Sequence, residues 1–330
     1  MQRFSSGSSS ALETRSSSGQ VNEDTISLTA IYFENTAIKI AAVQIDDVLD
    51  SRTAGNTLAA AFDTFGLKNL LIISDGQKVN GTELVQGLQD GLPDNVIITG
   101  GLAGDGSRFL KTLVGLNEIP REGRIVAIGF YGDKLSVGYG SVGGWDSFGP
   151  ERLITKSREN LLYELDGKPA LDIYKMYLGE YASELPGSGL LFPLSIRTND
   201  SGKYVVRTIL GVNEAEKSVC FAGNMPEGSY ARLMKANFDR LIEGASHAAT
   251  ESIEQNIKKP DLAILISCVG RKLVLNQRIE EEVEVIKAVY GEDTAITGFY
   301  SYGEISPSVN FMKCELHNQT MTITTFFEHE

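Results

Sequence analysis

The sequence predicts an α/β protein of two pseudo-repeated strand–helix–strand units, with added antiparallel hairpins and an incomplete N-terminal unit. Three observations carry that reading. Apolar runs of strand length alternate with segments of helical period. The same order of elements recurs in the C-terminal half, the mark of an internal repeat. In both halves the second strand of the unit runs into a glycine-containing stretch closed by an acid, "TGGLAGD" at 99–105 and "GFYSYGE" at 298–304.

The elements follow in order. "GSSSALE" (7–13) has the glycine-to-acid spacing of "GFYSYGE", with Leu12 where a glycine is expected, and "TISLTAIYFENTAIKIAAVQI" (25–45) then reads as a strand pair. The chain's start is therefore a partial third copy or, given its serine content, a disordered terminus. The first full unit has a helix over 52–64, a buried strand over 69–76, an amphipathic helix over 80–92 and a strand over 95–101. Asn80 or Thr82 is suited to cap the second helix. "GRIVAIGFYGDKLSVGYGSV" reads as two strands with a hairpin at Gly132-Asp133. A different segment follows, with a short strand and then a helix opening at Pro169, a residue suited to a first helical position. "GLLFPLSIR", "KYVVRTILGV" and "KSVCFAG" read as three antiparallel strands, with turns at Asn199-Asp200-Ser201-Gly202 and Asn213-Glu214. The second unit has a long helix over 229–257, a strand over 262–271, a helix over 277–291, a strand over 294–300 and a closing strand pair over 313–328. The expected domains are 1–165 and 166–330.

Composition narrows the function. A formal net charge of −13 disfavours nucleic acid and anionic membrane surfaces. Cys220, Cys268 and Cys314 are far apart and form no CxxC, so no zinc ribbon or thioredoxin-like site is encoded. Few thiols, no secretory leader and no membrane-length apolar run predict a cytoplasmic protein. "GLAGDGS" lacks the lysine of a P-loop, and "GYGSVG" at 138–143 opens no helix, so neither is a nucleotide fingerprint. There is no GxSxG, HExxH or DxDxDG, and no enzyme is expected.

Ligands of parallel α/β sheets bind outside the carboxyl ends of strands. A zwitterion needs an anion site and a cation site a few ångströms apart. Amides at Gly100, Gly101 and Gly104, with Arg108, Arg197 or Arg207, suit a carboxylate. Asp105 or Glu304 suits an ammonium group, while Tyr300 and Tyr302, beside Gly303, offer apolar faces with polar tips. The competing reading is tight turns with solvated acids and tyrosines packed at a domain seam.

"SDGQKVNGTELVQGL", "TGGLAGDGSRF", "VGYGSVGGWDSFGPERLITKSRENLLYELDGKPALDIYKMYLGE", "LFPLSIR", "GFYSYGEISP" and "CELHNQTMTITTF" resemble the FIST proteins, from about residue 20 to 327. In that family the place of "GSSSALE" tends to hold Gly-Cys-Ser-Thr-x-Gly-Glu. The resemblance implies a sensory module of signal transduction that binds small ligands such as amino acids. It also implies kinase, cyclase or chemoreceptor outputs, here as separate partners. Some members are haem proteins that sense nitric oxide. No cofactor is otherwise expected, and the haem alternative falls on His317 in "CELHNQTM", which reads equally as a turn residue before the last strand. A third alternative is an enzyme using the acids and tyrosines of the same cleft for acid–base work.

Overall fold

The computed structural model describes residues 4–6, 10–14, 20–23, 25–197, 204–254, 258–308 and 311–329. It is mixed α/β, and both units contribute to one large sheet. In spatial order its main path is Ala37–Gln44, Arg124–Tyr131, Leu67–Ser74, Ile97–Ala103, Ala295–Ser308, Leu262–Cys268, Met321–Glu328 and Leu135–Val142. Each unit supplies one parallel pair, Leu67–Ser74 with Ile97–Ala103 and Leu262–Cys268 with Ala295–Ser308. A crossover helix makes such pairing feasible, and Gly81–Gly91 and Ile279–Tyr290 fill that role. The two units join where Ile97–Ala103 and the second half of Ala295–Ser308 pair antiparallel.

The alternation of side chains along the strands builds four layers. Leu70, Ile72, Ile98 and Leu102 pack against Leu58, Leu84 and Leu88 of the helices Ser51–Ala60 and Gly81–Gly91. Ala263, Leu265, Ile296 and Ile323 pack against Ala245, Ala248, Val283 and Ile286 of the helices Phe238–Glu254 and Ile279–Tyr290. The intervening residues, among them Leu71, Val126, Ile128, Ile264, Ile266 and Phe326, point the other way and form one cluster together. The two halves of the sheet therefore face each other, with helices outside. Strands buried on both faces carry near-continuous apolar runs, as "NLLIIS" and "LAILIS" do.

Between the units the chain forms a second antiparallel sheet, ordered Tyr204–Arg207, Leu194–Arg197, Tyr230–Lys235, Asp146–Arg158, Leu161–Leu165, Ser218–Phe221 and Ile209–Asn213. It has its own core around Ile154, Leu171, Tyr174, Phe221 and Leu233. The helix Ala170–Leu178 packs there, with Pro169 at its N-cap.

Several local expectations change. Arg124–Tyr131 and Leu135–Val142 lie at different places in the sheet order, so Gly132-Asp133 is a crossing between facing halves and not a hairpin turn. The closing strands Phe311–His317 and Met321–Glu328 also have different partners. In each case a turn signal reports reversal of direction, whereas pairing is decided by which strand edge is free. The expected helix over 229–257 divides into the strand Tyr230–Lys235 and the helix Phe238–Glu254. Residues 25–33 form no strand, and only Ala37–Gln44 of the expected N-terminal pair does. "KYVVRTILGV" breaks into two strands at Thr208. Of "GSSSALE", Ser10–Thr14 is a strand antiparallel to Ile296–Phe299, while residues 7–9 lie outside the described residues, as does the turn expected at 199–202.

Candidate functional site at the junction of the two units

The two acid-ended stretches are not free loops. Gly100 and Gly101 lie within the strand Ile97–Ala103, and the whole of 298–304 lies within Ala295–Ser308. Gly100 has φ 143°, and a Cβ there would sit 2.0 Å from the Ile72 carbonyl oxygen. Gly298, its counterpart, would place a Cβ 1.9 Å from the Leu265 carbonyl oxygen. The repeated glycine thus admits a close neighbouring strand. Gly101 faces Gly303 and Ile266 in the same packed way, and Gly104 abuts Val269.

Counted from the matched glycines, Gly298 to Glu304 is one residue longer than Gly100 to Asp105, and the structure shows where the extra residue goes. Ser301 pairs with Ala103 and Gly303 pairs with Leu102, so Tyr302 is an extra residue in the ladder. Such a bulge re-aims a side chain. Here Tyr302 turns toward the first unit, where its hydroxyl donates to Asp105 Oδ1 and lies 2.8 Å from the Gly106 carbonyl oxygen.

Asp105 is 3% exposed and organises the chain that follows it. Its Oδ2 accepts from the amides of Leu110 and Lys111, both at 3.0 Å, and lies 3.9 Å from Arg108 Nε. Burial pushes the Asp105 carboxyl up, but hydrogen bonds from Tyr302, Lys111 and Leu110, with the Arg108 charge, hold it below its ordinary value. The acid is therefore an anion at neutral pH. The ring of Phe109 stacks on Tyr302, with centroids 4.6 Å apart and planes 10° from parallel.

Phe109 and Tyr302 form one side of a cleft at the seam between the two sheets. Leu190, Thr208, Leu210, Ala222, Cys268, Val269 and Gly270 complete it, and its free interior is small, about 10 Å³. Two polar atoms at this wall have no hydrogen-bond partner among the described residues, Thr208 Oγ1 and Gln319 Oε1. Gln319 lies against Gly270, where a Cβ would be 2.6 Å from Oε1, and its Nε2 is 3.4 Å from the Leu190 carbonyl oxygen. Trp145, the sole tryptophan, donates its indole N–H to the Gln319 carbonyl at 2.9 Å.

Sequence reasoning named Asp105, Arg108 and Tyr302, and the structure brings these three together. It does not bring Glu304 or Tyr300 to the cleft surface. Glu304 is fully buried and accepts from Ser301 Oγ at 2.5 Å and from the Thr320 amide and hydroxyl at 3.3 and 3.0 Å. Burial raises its pKa to about 8 against those hydrogen bonds, so it is largely neutral at pH 7. Tyr300 is buried in the helix-facing core, with Lys272 Nζ 5.3 Å from its ring centroid. Arg197 pairs with Glu151 on the second sheet, and Arg207 is buried, donating to the carbonyls of Leu316, Val206 and Asn224. Cys268 at the cleft is no ready nucleophile, because burial foremost, and Glu304 once it ionises, push its thiol up.

His317 lies away from the seam cleft. Its Nε2 lies 3.1 Å from the Ser306 carbonyl oxygen and its strand pairs against Glu304. Sequence reasoning missed Phe109 and Thr208 as cleft residues, and Gln319 as a residue packed behind Gly270. No local pattern marks them, because they come from a loop, a strand break and a turn far apart in the chain.

Fold and cleft define a duplicated α/β protein with a small recess where its halves meet. The chain belongs to the FIST family: the FIST N domain matches residues 5–168 and the FIST C domain residues 170–307. FIST domains are sensory domains of signal transduction. An uncharacterized protein of Methanocaldococcus jannaschii is 27% identical over 243 residues, 63% of this chain and 44% of that protein. The chain thus spans less than half the length of that relative. The crystal structure of cyanuric acid hydrolase from A. caulinodans covers 89% of this chain and 100% of its own, at 8% identity and a TM-score of 0.21, too distant to bear on fold or chemistry. Among the described residues no helix is long and apolar enough to cross a membrane.

Proposed function

We propose that this chain is a non-enzymatic sensory module that binds one amino-acid-like metabolite in the seam cleft and signals through a separate output protein. The observation that carries the reading is the Asp105–Tyr302 contact, which sets an anion from one unit against a phenol from the other, with the Tyr302 ring lining the recess. Three of the roughly four lone-pair directions of a carboxylate are taken at Asp105, leaving one for an ammonium group. The half-exposed Arg108 stands beside it for the ligand's carboxylate. Leu190, Leu210, Ala222 and Val269 supply an apolar wall for the ligand's side chain.

A ligand held there bridges the 104–111 loop, the Ala295–Ser308 strand and the second sheet. It therefore biases how these bodies sit, which is what an output partner can read. Kinases, cyclases and chemoreceptors are the partners this reading calls for. A cytoplasmic setting belongs to it too, and the three free thiols support that setting.

A thermal-shift screen against the standard amino acids tests the proposal. At about a hundred times its dissociation constant a ligand adds about 2.7 kcal/mol, which is readily seen. We expect at least one amino acid to raise the melting temperature and to change Trp145 fluorescence, with Arg108→Ala weakening both. A screen with no shift and no fluorescence change defeats the reading.

A further inference from the structure

Phe109 is a bulky residue in the left-handed region, at φ 50°. Such a conformation is an outlier for a large side chain, and observed strain of this kind clusters at ligand clamps and switches. The surrounding hydrogen bonds hold it there: Asp105 grips the next two amides, Leu110 and Lys111. The result places an aromatic ring flat on Tyr302 while leaving Phe109 37% exposed. With that ring seated, the free interior of the cleft is about that of one water molecule. The same wall holds Thr208 Oγ1, a buried hydroxyl with no partner among the described residues, and polar atoms left so are costly.

We propose that Phe109 is a built-in plug and that the ligand is an amino acid with an aromatic side chain, whose ring takes Phe109's place on Tyr302. This rests on the amino-acid reading above and deepens it. Tyr302 offers a face for offset or parallel stacking, which an aliphatic side chain does not use. Thr208 Oγ1 receives a polar group carried on the ring, so L-tyrosine is favoured over L-phenylalanine. Asp105 and Arg108, on the same loop as the plug, hold the ligand's charged groups. Displacing Phe109 then couples ligand entry to a loop whose conformation is already strained. The open form is a minor state, and apparent affinity is reduced by its fractional population.

Calorimetric titration of the full chain with L-tyrosine, L-phenylalanine, L-leucine and L-glutamate tests this. Phe109→Gly removes the ring and relieves the left-handed backbone, and circular dichroism checks that it folds. We expect wild type to bind L-tyrosine, Phe109→Gly to bind it at least tenfold tighter, and Thr208→Val to reduce L-tyrosine to the L-phenylalanine level. Should the glycine variant not fold, Phe109→Leu also loses the stacked ring and is expected to tighten binding by a smaller factor. Binding of L-leucine or L-glutamate without either aromatic overturns the aromatic ligand while leaving an amino-acid site. Unchanged aromatic affinity in folded Phe109 variants overturns the plug. Silence from every probe, in wild type and variants alike, overturns this inference together with the reading beneath it.

Discussion

Glu304 shows how far a single acid can depart from its sequence-level role. It ends a stretch that looks like a solvent-facing strand tip, yet it lies fully buried behind Cys268. Its folded pKa of about 8 is above its ordinary 4.5, so between those values the folded chain holds a proton that the unfolded chain has released. Stability from this group is complete below about pH 4.5 and is lost as pH rises through 8. We expect urea midpoints of the wild type to fall across that window and those of Glu304→Gln to change less. An equal slope in both proteins would assign the pH dependence elsewhere. Asp105 went the other way: it is held as an anion by Tyr302 and the amides of Leu110 and Lys111. Its partner Tyr302 comes from the other unit and lines the cleft. What joins them, a one-residue bulge, is visible in the sequence only as a stretch one residue longer than its repeat.

At the scale of elements, local signals served well where the cause is local. Asn80 caps the helix Gly81–Gly91 by accepting from the amides of Thr82 and Glu83. The same side chain reaches across the seam to Asn224 at 3.2 Å, and Asn224 donates to Glu83 at 2.9 Å. We expect Asn80→Ala to cost about 1 kcal/mol from the cap. Loss of the seam contact adds to it, read as a lower urea midpoint at unchanged slope. A midpoint equal to that of wild type would show that water replaces the cap. The helices over 51–60, 81–91 and 279–290 were legible from period, and the second also from its cap. The strand Tyr230–Lys235 was not, because "SYARLMKANF" has helical period and only its position between Asp146–Arg158 and Leu194–Arg197 makes it a strand. Tertiary pairing overrides weak propensity in such a segment.

Across the whole molecule, a buried ion pair ties the layers. Arg271 bonds Glu282 at 2.6 Å, and also reaches the carbonyls of Gly143 and Leu241, while Ser267 donates to Glu282 at 3.2 Å. Both charged side chains are fully buried. Removing one member leaves the other uncompensated, so Arg271→Met is expected to cost about 3–5 kcal/mol, and a double change with Glu282→Leu much less. Denaturant unfolding of the single and double variants checks this, and equal losses would show that the carbonyl contacts dominate.

The sequence by itself determined the repeat, the helices with their caps, the alternation that makes strands buried on both faces, and the placing of a candidate site near the acid-ended stretches. These are consequences of forces acting within about a dozen residues. Only the tertiary structure decided that the strands of both units enter one sheet folded face to face, that Glu304 is interior while Asp105 bonds a tyrosine of the other unit, and that Phe109 stacks on that tyrosine at a recess. Those outcomes depend on which edges and faces remain free once the other elements have packed, and no local stretch of chain encodes that.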